Sequence, residues 1–305
     1  MGTGLKITAF AAALAATFGA AYGVGRGVDP IMERPNGHAA HAEPAGRGGA
    51  ARDGHAAHGE AVGAAEPPGG LQIAEGGYAL DLKTPRLEAG RAAEIRFAVT
   101  GRDGRPVTAF KSEHGKELHL VLASDDLAVY RHLHPVRAAD GTWSVPAELP
   151  EAGGYRVFAD FTPDDTKGAE KLVLGADLAV SGTYAPKDLP APTATVQVED
   201  GYAVSLAGDL TPGRAAELKL SVTKDGRPVT DLEPYLGAYG HLVALRAGDL
   251  AYLHVHPNEG GPGPVVSFGA TVPSAGTYRL FLDFQHGGKV RTAGFTVAAG
   301  GHLAA

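Results

Sequence analysis

The chain has 305 residues, 44% of them hydrophobic, and a formal net charge of −7, so it can bury more than one core and is a poor partner for nucleic acid. It contains no cysteine, which excludes disulfides, thiolate metal sites and a cysteine nucleophile. Only Met1 and Met32 carry a thioether, so a bound transition metal must rest on imidazole and carboxylate, which suits copper(II), zinc or nickel.

Ile7 to Gly25 carries no charge and is flanked by Lys6 and Arg26. A run of about 19 apolar residues just spans a bilayer. Residues 1–26 are therefore expected to be a membrane anchor; a cleaved signal peptide is the alternative, although Tyr22 sits where a cleavage site wants a small residue. Either way the remainder is expected outside the cytoplasm, tethered to the cell membrane or secreted. Residues 27–70 hold almost no large apolar side chain and read as a disordered, His-rich linker. Within it Gly-His-Ala-Ala-His-x-Glu occurs at 37–43 and again at 54–60. These histidines are either a loose metal collector or low-complexity drift.

Beyond the linker the chain repeats with a period near 123 residues: Gly-Arg-Ala-Ala-Glu at 90–94 returns at 213–217, and Asp-Gly-Arg-Pro-Val-Thr at 103–108 returns at 225–230. A period this long means duplicated domains. The boundaries read as 71–182 and 196–298, joined by a Pro-rich linker at 183–195 and followed by a tail at 299–305. Each copy shows short alternating apolar runs, such as Glu94 to Val99, Leu118 to Ala123 and Tyr155 to Phe161, with no competing helical period. The expected fold is all-β, two tandem immunoglobulin-like β-sandwiches. Tyr155 and Tyr278, each following Ala-Gly-x, look like the tyrosine corner that opens strand F of that fold.

Both copies carry one phrase, His-Leu-Val, ten residues, then His-x-His-Pro. It places His119, His132 and His134 in the first and His241, His254 and His256 in the second. If Asp125-Asp126 and Ala247-Gly248 are two-residue hairpin turns, His119 lies opposite His132 and His241 opposite His254. Side chains alternate along a strand, so His134 and His256 join the same faces. Three imidazoles then converge in each sandwich, close enough for one ion. With Tyr155 facing inward on strand F, Asp160 faces outward beside strand C, as does Asp283 in the second copy; each is a fourth ligand or an orienting partner. Tyr130 and Tyr252 cover the same faces. His114, His286 and His302 have no counterpart and are expected in solvent.

At these residues the chain resembles membrane-anchored or secreted proteins of high-GC Gram-positive bacteria that carry a duplicated His-x-His-Pro module. Each module also resembles the YtkA-like and FixH-like extracytoplasmic β-sandwiches. That resemblance implies a link to copper handling and oxidase assembly. The leading expectation is a non-enzymatic, membrane-anchored binder of copper(II) or zinc with one site per sandwich and an extracytoplasmic partner still to be identified. A structural or adhesive module, in which the histidines pack the domains together, is the alternative. A metal-dependent enzyme comes third, because the motif lacks a separate general base and a sheet face offers no pocket.

Overall fold

The computed structural model describes residues 68–165, 168–253 and 255–300. The expected anchor, nearly all of the tether, His254 and His302 therefore lie outside the described residues, as does the side chain of His256. No helix among the described residues is long and apolar enough to cross a membrane.

The first sandwich comprises β1 (Ala74–Glu75), β2 (Tyr78–Leu82), β3 (Arg86–Glu88), β4 (Ala92–Thr100), β5 (Leu118–Ser124), β6 (Tyr130–Leu133), β7 (Val136–Arg137), β8 (Thr142–Glu148), β9 (Gly153–Phe161) and β10 (Leu172–Ser181). One sheet runs β1-β2-β4-β8-β7 and the other β3-β10-β9-β5-β6, with β3 parallel to β10. The second sandwich comprises β11 (Thr195–Val198), β12 (Tyr202–Ala207), β13 (Ala215–Lys224), β14 (Arg227–Pro228), β15 (His241–Arg246), β16 (Tyr252–Leu253), β17 (Val255–Pro257), β18 (Val265–Thr271), β19 (Gly276–His286) and β20 (Lys289–Ala299). Its sheets run β11-β12-β13-β18-β17, with β14 beside β13, and β16-β15-β19-β20. Both are immunoglobulin-like orders, with β5 and β15 as strand C and β9 and β19 as strand F.

Alternation explains the inner faces. In β4, Ile95, Phe97 and Val99 are buried while Glu94 and Arg96 are exposed. The tyrosine corners form as the sequence suggests: Tyr155 Oη donates to the Glu151 carbonyl at 2.8 Å, and Tyr278 Oη to the Ser274 carbonyl at 2.8 Å. Strand β5, by contrast, is buried at every residue. Leu120 and Leu122 face its own core, whereas Val121 and Ala123 face a third apolar cluster drawn from both sandwiches.

That third cluster is a seam within one compact unit, Val62–Ala305. Tyr130 stacks on Phe281 with centroids 4.2 Å apart, and Tyr252 leans on Phe158 at 5.5 Å. Tyr130 Oη donates to Asp283 at 3.4 Å and Tyr252 Oη to Asp160 at 3.5 Å, so the two halves repeat each other's contacts about a pseudo-two-fold axis. Burying such a side chain contributes roughly 1.5–3 kcal/mol, and the four rings share the seam with Val121, Leu127, Val173, Val243, Leu245 and Leu250.

The chain enters the first sandwich along this seam. Gly70 N–H donates to the Val173 carbonyl at 2.7 Å, and Tyr252 N–H of the second sandwich donates to the Gly69 carbonyl at 3.0 Å. Arg156 adds two bonds of 2.7 Å to the carbonyls of Gly70 and Leu71. Gly70 has φ +76°, and a Cβ there would lie 2.5 Å from the Phe158 ring, so the crossing needs glycine.

Candidate metal centre

Each histidine phrase is preceded by a tight turn. Glu113 and Lys116 exchange backbone bonds of 2.8 and 3.0 Å around His114 and Gly115; Tyr235 and Ala238 do so at 2.8 and 3.2 Å around Leu236 and Gly237. All four central residues have positive φ, between 52° and 77°, which marks a type I′ turn. Each turn aims a carbonyl at the first histidine. His119 Nε2 lies 3.3 Å from the Glu113 carbonyl and His241 Nε2 lies 2.7 Å from that of Tyr235.

The hairpin register differs from the expected one. Val121 pairs with His132, and Leu120 with Leu133, so His119 stands two residues away from opposing His132. The connection is longer than two residues because side chains satisfy its backbone: Ser124 Oγ accepts from Val129 N–H at 2.9 Å, and Asp126 accepts from Ala128 N–H at 3.1 Å. In the second sandwich Ala244 pairs with Leu253, the same displacement. A slip of two preserves the face, so His119, His132 and His134 still converge.

Their ligand atoms, one from each ring, all lie within 4.8 Å of one another. Ring centroids are 5.3 Å apart for His119 and His132, 5.2 Å for His119 and His134, and 4.8 Å for His132 and His134. The second sandwich supplies the surroundings. Asp283 Oδ2 accepts from His132 Nδ1 at 3.0 Å, and Tyr235 Oη lies 3.4 Å from His134 Nδ1. Thr292 Oγ1 donates to the other Asp283 oxygen at 2.5 Å.

These partners favour one tautomer of each ring. A carboxylate and a carbonyl only accept, so His132 carries its proton on Nδ1 and His119 on Nε2. His132 Nε2 and His119 Nδ1 then face each other at 3.1 Å as two lone pairs. In that tautomer pair neither ring donates to the other; placing the His119 proton on Nδ1 instead satisfies the contact and gives up the 3.3 Å approach to the Glu113 carbonyl. A second proton on His119 is disfavoured: burial first, then the His132 ring, pushes His119 down to about 3. Burial likewise lowers His134 to about 4 and His241 to about 4. His134 Nε2 is buried and meets no hydrogen-bond partner among the described residues. Two nitrogens on one ion at 2.0–2.1 Å stand about 3.3 Å apart in tetrahedral geometry, which the 3.1 Å pair approaches and which the wider spacings, up to 4.8 Å, would reach by closing of the rings.

Other expected residues fall differently. Asp160 lies opposite His119 in register, but its carboxylate meets Lys171 Nζ at 3.1 Å and the Tyr252 hydroxyl. Lys171 also reaches Glu113 at 3.0 Å; burial pulls this lysine down, yet Asp160 and Glu113 hold it above its ordinary value. Of the second triplet, His254 and the side chain of His256 lie outside the described residues. β16 ends at Leu253, and the backbones of Val255 and His256 pair with Ala270 and Gly269 of β18. Among the described side chains, His241 and Asp283 stand beside His119, His132 and His134 at the seam. His286 is not in solvent; it bonds the Tyr202 hydroxyl at 2.6 Å and Asp231 at 3.1 Å. His114 is exposed as expected, but its ring lies 5.2 Å from His241. Tyr235 and the Glu113 carbonyl were missed, although the glycine two residues after each was a signal for the turn.

A family model for a domain of unknown function, DUF8832, matches the chain twice, at residues 72–177 and 194–301. The chain belongs to the DUF8832 family. No curated protein matches it. Among solved structures, the two DUF8832 repeats are similar to the Escherichia coli adhesin FdeC at 14% identity, covering 73% of this chain and 64% of that one, with a TM-score of 0.24. They are also similar to domains 5-6 of the S-layer protein SbsC at 13% identity, covering 72% and 95%, with a TM-score of 0.23. A marsupial T cell receptor gives 12% identity, 73% and 62% coverage, and a TM-score of 0.23. Scores of this size bear on neither function nor partner.

Proposed function

We propose that this DUF8832 protein is a non-enzymatic, extracytoplasmic binder of one divalent transition-metal ion, copper(II) or zinc. His119 Nδ1, His132 Nε2 and His134 Nε2 hold the ion. The observation that carries this reading is the convergence of three imidazoles, with His119 Nδ1 and His132 Nε2 3.1 Å apart and each of these two rings backed on its other nitrogen by an acceptor. Metal-bound histidines typically have such backing. The apolar segment Ile7 to Gly25 supports export, and a donor set of imidazoles without sulfur suits copper(II) or zinc. Equilibrium dialysis of the full chain tests it, with His38, His41, His55 and His58 replaced by glutamine to silence the tether. One ion per chain is expected, lost in His119→Ala and His132→Ala; no binding, or binding indifferent to both substitutions, overturns the proposal.

The alternative, that the histidines chiefly fasten the two sandwiches, is favoured by the bonds from Asp283 to His132 and from Tyr235 to His134. The two readings separate on stability. Metal at 100 times its Kd raises the stability of a specific binder by about 2.7 kcal/mol, whereas a purely structural cluster gains nothing from the ion.

A further inference from the structure

We infer that His241 of the second sandwich is the fourth ligand, so that a single ion is shared between the two DUF8832 repeats and ties them together. The inference rests on the metal-binding reading above. His241 begins β15 opposite Asp283, and its ring centroid lies 6.0 Å from that of His132 and 6.4 Å from that of His119. With nitrogen at 2.0–2.1 Å, an imidazole centroid stands about 3.2 Å from the ion, so two rings lie about 5.2 Å apart at a tetrahedral angle and about 6.4 Å apart when opposed. The three rings of the first sandwich, at 4.8–5.3 Å, already sit at tetrahedral spacing. Relative to His119 and His132, His241 sits within the range of wide ligand angles, and moving its ring by about 1 Å toward them brings it to the tetrahedral distance from both.

Its orientation is set in the same way as that of His119. The Tyr235 carbonyl takes the Nε2 proton at 2.7 Å, which leaves Nδ1 as the donor nitrogen. Tyr235 also places its hydroxyl 3.4 Å from His134 Nδ1, so one residue positions a ligand from each sandwich. The nearby carboxylate is engaged elsewhere: Asp283 receives His132, Tyr130 and Thr292. The donor set is four imidazole nitrogens without sulfur, which suits zinc in tetrahedral geometry and copper(II) in a flattened one. His114, exposed and 5.2 Å from His241, stands at the outer side of the cluster.

Cobalt(II) and copper(II) binding to the full chain with the four tether histidines replaced by glutamine tests the inference. The expected result is the intense visible absorption of four-coordinate cobalt and hyperfine coupling of copper to four nitrogens. His241→Ala should reduce the coupling to three nitrogens and weaken affinity at least tenfold. Should His241→Ala fail to fold, His241→Gln, which retains a donor for the Tyr235 carbonyl, decides by the same spectra. An unchanged spectrum and affinity in whichever variant folds overturns the shared site while leaving the three-histidine site standing. Absence of binding by the parent chain overturns both.

Discussion

The two DUF8832 repeats carry the same histidine phrase, and the strands that hold it pair differently: Leu133 with β5, its counterpart Val255 with β18. In the first, β6 stays beside β5 through Leu133, which keeps His132 and His134 over His119. In the second, β16 ends at Leu253 and Val255 pairs with β18, while His241 of the phrase and Asp283 of β19 stand beside the cluster. A residue one step back shows why the paths part: Arg131 is exposed on an edge strand, whereas its counterpart Leu253 is buried in the core of its own sandwich. The seam beside them remains symmetric, with Tyr130 and Phe281 mirrored by Tyr252 and Phe158. Duplication has copied the residues, and among the described side chains the cluster at the junction draws His119, His132 and His134 from one copy and His241 and Asp283 from the other.

Acid is the broadest way to separate the histidine end of the seam from its aromatic end. His119, His134 and His241 are lowered from 6.5 to about 3, 4 and 4. The unfolded chain therefore takes up protons that the folded one refuses. Stability of the metal-free protein should be flat above pH 6.5 and fall steadily as pH drops from 6.5 toward 4, read as the urea midpoint. Replacing His119 and His241 by glutamine should flatten that slope. An unchanged midpoint down to pH 4 in the parent would contradict the burial of these rings.

Mutation of the aromatic end should be even-handed. Phe158→Ala and Phe281→Ala are each expected to cost about 3–5 kcal/mol in urea unfolding. A severalfold inequality between them would break the pseudo-two-fold relation. The carboxylates should behave oppositely. Asp283→Asn removes the acceptor that orients His132, and loss of such a partner typically lowers metal affinity about 10–100-fold, whereas Asp160→Asn should leave affinity unchanged by dialysis. Equal losses would return a ligand role to Asp160.

The smallest contrast lies in a pair of equivalent arginines. Arg156 holds the entering backbone and pairs with Asp177, whose side chain is 87% exposed. Arg279 is buried with Thr296 as its hydroxyl acceptor at 2.9 Å. Thr296→Val should therefore cost about 1–3 kcal/mol by thermal or urea unfolding, and Asp177→Ala about 0.5 kcal/mol or less. Equal values would show that Arg279 finds other partners.

Much of this arrangement was legible in the sequence. The repeat period, the alternating runs and the tyrosine corners led to the sandwich order and to strands C and F, and strand parity put His119, His132, His134 and Asp160 on one face. Parity also survived a wrong turn, because Ser124 and Asp126 lengthened the loop by a pairing step of two. What parity cannot distinguish is a face turned to water from one turned to a sister domain. Val121, Phe158, Val243 and Phe281, apolar at outward positions, were the available signal. The strand switch after Leu253 had no comparable mark, since Leu133 and Val255 are equally apolar.

The crossing at Gly69 and Gly70 has a mechanical consequence. The backbone arrives at the line where the sandwiches meet, bonded to Val173 and Arg156 on one side and to Tyr252 on the other. A pull applied at Pro68 is consequently divided between both repeats at their junction and does not peel the first one open from its edge. Force on the N-terminal side loads the same joint that the histidines flank.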